Sequence, residues 1–196
     1  MKIHSAEFIT SAANPDASPP WQTPEVALIG RSNVGKSSLI NLLTNRPELA
    51  KVSATPGKTR LLNFFLINKT WSLVDLPGYG FAKAAKHEKF DFNALVADYI
   101  ENRENLRRVL VLIDSRLPPQ RIDLDFLAWL STTGTPFSLV FTKADKQSPA
   151  RTQANAALFL ETATPYIDPH AATFVTSATK RSGGLEILRA IRDFTI

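Results

Sequence analysis

The sequence predicts an α/β fold of three layers, in which helices cover both faces of a mostly parallel six-stranded sheet with one antiparallel edge strand. Three observations predict it. Apolar strand-like runs alternate with helical patterns along most of the chain. The runs at residues 61–67 and 70–74 are separated only by Asn68-Lys69, so these two strands must be antiparallel. The 196 residues, 44% of them hydrophobic, suit one domain with a full core.

The elements follow in order along the chain. Residues 1–24 are expected to form an N-terminal arm, with residues 3–9 as a candidate added edge strand, and residues 25–196 a single domain. The apolar run at residues 26–29 precedes a helix at residues 38–45, which places Leu39, Leu42 and Leu43 on one face. After the hairpin, the pattern predicts helices at residues 93–103, 123–131, 150–163 and 185–194, alternating with strands at residues 109–113, 137–141 and 173–175.

A phosphate-binding loop of the form G-x-x-x-x-G-K-S follows the first apolar run. In this motif, backbone N–H groups face the phosphates, Lys36 reaches the β- and γ-phosphate oxygens, and the Ser37 hydroxyl binds Mg²⁺. The next helix begins here, and its N-terminus favours an anion. The predicted phosphate contacts are Gly30, Arg31, Ser32, Asn33, Val34, Gly35, Lys36, Ser37 and Ser38.

A second motif, Asp75-Leu76-Pro77-Gly78, follows the second hairpin strand. Asp75 is expected to hold Mg²⁺, and the Gly78 N–H to contact the γ-phosphate. Thr59 lies between Ser37 and Asp75, in a polar loop where a hydroxyl can complete the Mg²⁺ shell while the γ-phosphate is present. Gly57 and Lys58 are included as nucleotide contacts, and the predicted metal ligands are Ser37, Thr59 and Asp75.

Base selection is predicted from Thr142-Lys143-Ala144-Asp145, which follows the strand at residues 137–141. The Asp145 carboxylate can accept hydrogen bonds from N1–H and the exocyclic amine of guanine, which adenine does not present. The Lys143 stem can lie along the base. Threonine at position 142, where asparagine is usual, predicts a weaker brace to the phosphate loop. Thr176-Ser177-Ala178 follows the last strand, and its Ala178 N–H is expected to bind the guanine O6.

Composition excludes several classes of protein. With no cysteine, the chain has no disulfides, thiolate metal sites or cysteine catalysis. Because no apolar run reaches about 18 residues, we expect no membrane span and a cytoplasmic protein. The formal net charge of +5 suggests an acidic partner.

The motifs in this order resemble those of GTPases of the translation-factor-related class. Their wording resembles the EngB (YihA/YsxC) family of bacterial GTPases, of the TrmE-Era-EngA-EngB-septin-like class. The matching segments are G-R-S-N-V-G-K-S-S-L-I-N, T-P-G-K-T, N-F-F, D-L-P-G-Y-G-F-A-K and T-K-A-D. The resemblance implies a P-loop NTPase fold, Mg²⁺-dependent binding and hydrolysis of GTP to GDP, assembly of the large ribosomal subunit with its rRNA, and a link to septation. It implies neither a membrane nor a DNA partner, and we expect a monomer.

The hydrolytic machinery departs from that of Ras-like enzymes, because Tyr79 stands where they place a water-orienting glutamine. We therefore predict slow intrinsic hydrolysis, with Lys36, Asn33, Thr59 and Gly78 as the catalytic candidates. Asn33 resembles the asparagine that binds K⁺ in related potassium-activated GTPases, which makes K⁺ a candidate cofactor.

The segment at residues 81–108 mixes basic and aromatic side chains, as RNA-binding surfaces do. Equally, its aromatic residues can belong to the core and its charges to a solvated face. Two other functions stay open: a phosphotransferase that uses the same loop, and a division-related protein whose nucleotide controls self-assembly.

Overall fold

The computed structural model describes residues 1–51, 61–79 and 86–195, and all their side chains except those of residues 15 and 86–93. The strands are β1 (Ala6–Ala12), β2 (Glu25–Gly30), β3 (Leu62–Ile67), β4 (Trp71–Asp75), β5 (Leu106–Asp114), β6 (Phe137–Thr142) and β7 (Thr173–Val175). The α-helices are α1 (Lys36–Thr44), α2 (Lys86–Asn102), α3 (Arg121–Thr132), α4 (Pro149–Ala163) and α5 (Gly184–Thr195).

One sheet contains these strands in the order β1-β3-β4-β2-β5-β6-β7. Strands β4, β2, β5, β6 and β7 pair in parallel, and β3 runs antiparallel to both of its neighbours. The predicted fold class is confirmed. The reversed strand lies inside the sheet, however, because β1 forms the edge at residues 6–12, later than the candidate strand at residues 3–9. This seventh strand covers the N–H and C=O groups that β3 would otherwise expose.

The helices cover the sheet on both faces. Leu39 and Leu43 of α1 pack with Ile187 of α5 against one face of the sheet. Leu127 of α3 and Phe159 of α4 belong to the core on the opposite face, together with buried residues of α2. Burying a large apolar side chain stabilises a fold by about 1.5–3 kcal/mol, so the two cores fix the helices on which the site depends.

The hairpin between β3 and β4 turns where the sequence predicts. Asn68 and Lys69 have φ angles of 50° and 59°, the left-handed conformation that a type I′ turn requires. The Asn68 side chain also binds the N-terminal arm: its Oδ1 accepts from the N–H groups of His4 (2.7 Å) and Ser5 (3.1 Å). The turn thus supports the strand that completes the sheet.

A buried carboxylate holds the amino end of β2 to the arm and to α2. Glu25, which is fully buried, accepts hydrogen bonds from Tyr99 Oη (2.6 Å), Trp21 Nε1 (2.7 Å) and Arg103 Nη2 (2.6 Å).

Helix α2 begins seven residues before the predicted start at residue 93. The sequence did not indicate this earlier start, because residues 86–92 lack the apolar periodicity of a buried helix face. Within the described ranges, no helix combines the length and apolarity needed to cross a bilayer.

Candidate functional site

The predicted site residues meet at one edge of the sheet. Strands β2, β4, β5, β6 and β7 are parallel, so the loops that follow Gly30, Asp75, Asp114, Thr142 and Val175 emerge together. The edge gathers the phosphate loop, the Asp75–Gly78 segment, the Thr142–Asp145 segment and the Thr176–Ala178 segment. Gly57, Lys58 and Thr59 lie outside the described residues.

The phosphate loop connects β2 to α1 and exposes the start of that helix. Gly35 precedes the helix with a φ of 117°, a conformation that side chains disfavour. Because glycine offers no capping side chain, the first N–H groups of α1 stay available for an anion. Ser37 and Ser38 lie in this first turn and are partly buried. The loop can therefore bind phosphate as the motif predicts.

Lys36 and Asp75 are the opposite charges at the centre of the site. Burial lowers the pKa of Lys36, and the negative charge of Asp75 only partly opposes that shift. Burial likewise raises the pKa of Asp75 to about 6, with Lys36 acting in the opposite direction. Both charges are thus incompletely solvated, which is the state expected of groups that bind a charged ligand.

Asp75 has unused hydrogen-bonding capacity. Its carboxylate is 5% exposed, and its Oδ1 has no hydrogen-bond partner among the described residues. A buried carboxylate oxygen without a partner is costly, and Mg²⁺ or its bound water would satisfy it. The oxygen-donor side chains of Ser37 and Asp75 therefore fit a magnesium site.

Gly78 lies directly against the phosphate loop. A Cβ atom at this position would be 2.7 Å from the Gly30 carbonyl oxygen, 3.1 Å from Lys36 Nζ and 3.2 Å from the Ser32 nitrogen. Only glycine fits so close an approach without displacing these groups. Leu76 and Pro77, which precede it, are buried.

Tyr79 turns away from the phosphate loop. Its hydroxyl donates to Asp123 Oδ1 of α3 at 2.9 Å, and its ring stacks on Phe126 with a centroid distance of 4.5 Å. The phenol is therefore not placed as a water-orienting glutamine would be, which agrees with the prediction from sequence.

A brace joins the phosphate loop to the base-binding segment. Thr142 Oγ1 donates to the Val34 carbonyl at 2.7 Å, so the contact that we expected to be weaker is present. Lys143 Nζ donates to the Asn33 carbonyl (2.6 Å) and to Asp114 Oδ2 (2.9 Å). A threonine and a lysine together thus connect the two loops.

The sequence analysis missed Asp114 and Arg116, which support this brace. Arg116 Nε and Nη2 donate to the two oxygens of Asp114 at 2.9 and 2.7 Å. Burial acts to raise the pKa of Asp114, but hydrogen bonds from Arg116 and Lys143 outweigh it and hold the pKa at about 2. Asp114 is therefore ionised at neutral pH. Its position at the carboxyl end of β5 was a signal available in the sequence.

The Thr142–Asp145 and Thr176–Ala178 segments contact each other. The Ala144 N–H donates to the Thr176 carbonyl at 3.1 Å, and Ser177 Oγ donates to Asp145 Oδ1 at 2.7 Å. The Ser177 hydroxyl lowers the pKa of Asp145, so the carboxylate is an ionised acceptor at neutral pH. Ala178 is exposed beside it. The arrangement can present a carboxylate to a guanine edge.

Part of the basic and aromatic segment at residues 81–108 belongs to the fold. Tyr99 and Arg103 bind the buried Glu25, and Arg108 lies over the Phe194 ring with its guanidinium carbon 3.9 Å from the centroid. Tyr99 is buried in the core, as the core interpretation expects. Arg103 and Arg108 are partly buried and make contacts within the fold, so they do not form the solvated face that this interpretation also expects. Residues 81–85 lie outside the described residues, as do the side chains of residues 86–93.

Comparison with known proteins identifies the family. A family model described as "50S ribosome-binding GTPase" matches residues 25–143. A Phocaeicola vulgatus protein named "Probable GTP-binding protein EngB" is 50% identical over 188 residues, which cover 96% of this chain and 94% of that protein. The chain belongs to the EngB family. It is accordingly a GTP-binding protein and a GTPase, which confirms the resemblance seen in the motifs.

Solved structures agree with the EngB fold. A crystal structure of an EngB protein superposes with a TM-score of 0.70 at 22% identity and covers 87% of this chain and 98% of that chain. A crystal structure of NFeoB from S. thermophilus bound to GDP.AlF4- and K+ gives a TM-score of 0.60 at 22% identity and covers 88% of this chain and 62% of that chain. At these identities the structures establish the fold alone.

Replacing Asp75 with asparagine is expected to stabilise the nucleotide-free protein at pH 7.5 by about 1–3 kcal/mol. The pKa of Asp75 rises from 3.8 to about 6 on folding. Between these two pH values, the folded state therefore holds a proton that the unfolded chain has lost. The free energy of unfolding of the wild type falls as the pH rises through this range, and it stays lower at higher pH. Urea unfolding at pH 7.5 and 4.5 tests this: the gain should shrink at pH 4.5.

The exposed carboxylate of Asp125 provides the control, since Asp125→Asn should change stability at neither pH. An Asp75→Asn variant less stable than wild type at pH 7.5 would contradict the conclusion that the buried charge of Asp75 destabilises the nucleotide-free protein.

Proposed function

We propose that this GTPase is a GTP-driven switch in the assembly of the large ribosomal subunit, acting in the cytoplasm. The observation that carries the proposal is the match of residues 25–143 to the "50S ribosome-binding GTPase" family, together with EngB relatives along nearly the full chain. The net charge of +5 supports an RNA-rich partner, because rRNA is a polyanion. The link to septation comes only from the family resemblance.

The assignment of the nucleotide site is part of the proposal. Lys36 and the N–H groups of the phosphate loop bind the β- and γ-phosphates, and Asp145 reads the guanine base. Ser37, Thr59 and Asp75 would hold Mg²⁺, which supplies positive charge against the phosphate oxygens. The buried Oδ1 of Asp75, which has no hydrogen-bond partner among the described residues, supports this set. Gly78 contacts the γ-phosphate, as its place beside Lys36 Nζ suggests.

Hydrolysis is expected to be slow without a partner. The Tyr79 hydroxyl donates a hydrogen bond to Asp123 of α3, so Tyr79 does not orient the attacking water. Stabilisation of the transition state then depends on Lys36 and the loop N–H groups. K⁺ at Asn33 would add positive charge. Asn33 is exposed and has a φ of 61°, and Lys143 Nζ donates to its backbone carbonyl.

Asn33→Ala is expected to remove any stimulation of hydrolysis by K⁺, because the amide oxygen is the proposed ligand. The measurement is the ratio of GTP turnover in KCl to that in NaCl, which should exceed unity in the wild type and fall to about one in the variant. Asn45→Ala is the matched control, since Asn45 also adopts a left-handed conformation (φ 54°) but ends α1. A wild-type ratio of one, or a K⁺ effect that survives in Asn33→Ala, would contradict the prediction.

Co-sedimentation with purified large ribosomal subunits tests the proposed function. The protein should pellet with subunits when loaded with a non-hydrolysable GTP analogue, release them with GDP, and bind less as salt concentration rises. Small subunits serve as the competing partner. A Lys36→Ala variant should lose the dependence on nucleotide. Absence of association in either nucleotide state, or equal binding to small subunits, would overturn the proposal.

A further inference from the structure

A buried tyrosine–carboxylate pair connects the segment after β4 to α3. Tyr79 is 8% exposed and Asp123 is 2% exposed, and the Tyr79 hydroxyl donates to Asp123 Oδ1 at 2.9 Å. The Tyr79 ring stacks on Phe126 at an interplanar angle of 17°. Burial raises the pKa of Tyr79 well above its usual value, so the phenol stays a donor at physiological pH. The side chain is therefore fixed by both packing and a charge-assisted hydrogen bond.

The same segment is fixed to the phosphate loop by its backbone. Tyr79 forms a parallel bridge with Arg31, the residue that follows the first glycine of the loop. The positive charge of Arg31 also acts on Asp123, partly opposing the effect of burial, which raises the pKa of that carboxyl to about 6. Three elements thus converge: the phosphate loop, the β4 segment and the start of α3.

Gly78 directly precedes Tyr79, the residue that makes both attachments. A Cβ atom on Gly78 would lie 3.1 Å from Lys36 Nζ and 3.2 Å from the Ser32 nitrogen, so its main chain is close to both groups. A peptide segment that must contact a γ-phosphate loses less conformational entropy on binding if it is already held in place. Tyr79 supplies such a restraint one residue from the contacting N–H.

We propose that Tyr79 and Asp123 are positioning residues, whose hydrogen bond holds Gly78 in place for the γ-phosphate and thereby raises the affinity of the protein for GTP relative to its affinity for GDP. GDP lacks the γ-phosphate, so its affinity does not depend on this restraint. The inference rests on the proposed role of Gly78 in the nucleotide site. It assigns Tyr79 a function other than that of the absent glutamine.

A second buried tyrosine–carboxylate pair has the same chemistry but lies far from Gly78. Tyr99 Oη donates to the buried carboxylate of Glu25 at 2.6 Å. Glu25 is the first residue of β2, and the candidate nucleotide site lies at the other end of that strand. Tyr99→Phe removes one buried phenol hydroxyl from a carboxylate, as Tyr79→Phe does. A merely structural role of Tyr79 would therefore make the two variants alike.

The experiment measures the dissociation constants of a non-hydrolysable GTP analogue and of GDP for the wild type, Tyr79→Phe, Tyr99→Phe and Asp123→Asn. Tyr79→Phe is expected to weaken binding of the analogue about fivefold relative to GDP, and Tyr99→Phe to leave the ratio unchanged while lowering the unfolding midpoint. Asp123→Asn keeps an acceptor but loses its charge, so its ratio should shift in the same direction by less. This variant also serves if Tyr79→Phe does not fold.

Each outcome bears on the proposal. A ratio that shifts in Tyr79→Phe and Asp123→Asn but not in Tyr99→Phe supports it. Unchanged ratios in both site variants, or an equal shift in Tyr99→Phe, overturn it while nucleotide binding by the wild type stands. A wild type that does not distinguish the analogue from GDP would instead refute the proposed γ-phosphate contact of Gly78.

Discussion

Replacing Lys36 with alanine is expected to lower kcat/KM for GTP by at least about a hundredfold, because it removes the charge that we propose faces the β- and γ-phosphates. The fold should survive. Burial already lowers the pKa of Lys36, so its charge opposes folding more than it supports it, and the free energy of unfolding should change by about 1 kcal/mol or less. Phosphate release and urea unfolding measure the two effects separately.

Lys2→Ala is the matched control, since it removes the same charge from an exposed position on the arm. It should leave turnover and nucleotide affinity unchanged. If Lys36→Ala kept wild-type turnover, or lost activity only through unfolding, the assignment of Lys36 to the phosphates would fail.

Asp145→Asn is expected to reverse base preference, with the second largest effect. The ionised carboxylate is the proposed acceptor of two hydrogen bonds from guanine. An amide would present a donor to one of those guanine donors, so GTP affinity should fall about a hundredfold. Xanthine carries a carbonyl in place of the exocyclic amine, so xanthosine triphosphate should gain affinity. The measurement is the ratio of the dissociation constants for the two nucleotides.

The local structure should persist in this variant, because the asparagine oxygen can still accept from Ser177 Oγ, which donates to Asp145 at 2.7 Å. Asp125→Asn on the surface of α3 removes the same charge elsewhere and should not alter base preference. Equal weakening of GTP and xanthosine triphosphate by Asp145→Asn would show that Asp145 supports the loop and does not read the base.

Local patterns were sufficient for much of this site. The phosphate loop, Asp75-Leu76-Pro77-Gly78 and Thr142-Lys143-Ala144-Asp145 each follow an apolar strand, and parallel strands bring such loops to one edge. The segment at residues 81–108 was less informative. Its composition allowed both an RNA surface and a core face, and only packing against Glu25 and Phe194 assigns Tyr99, Arg103 and Arg108 to the fold.

By itself, the sequence determined the fold class, the order of the elements, the family and the candidate nucleotide residues, because periodicity and motif spacing are properties of neighbours in the chain. Tertiary structure alone decided that β1 covers β3, that Asp114 and Lys143 brace the phosphate loop, and that Tyr79 binds Asp123. Those contacts join residues from 29 to 110 positions apart, and no local pattern encodes which distant partner a buried donor will meet.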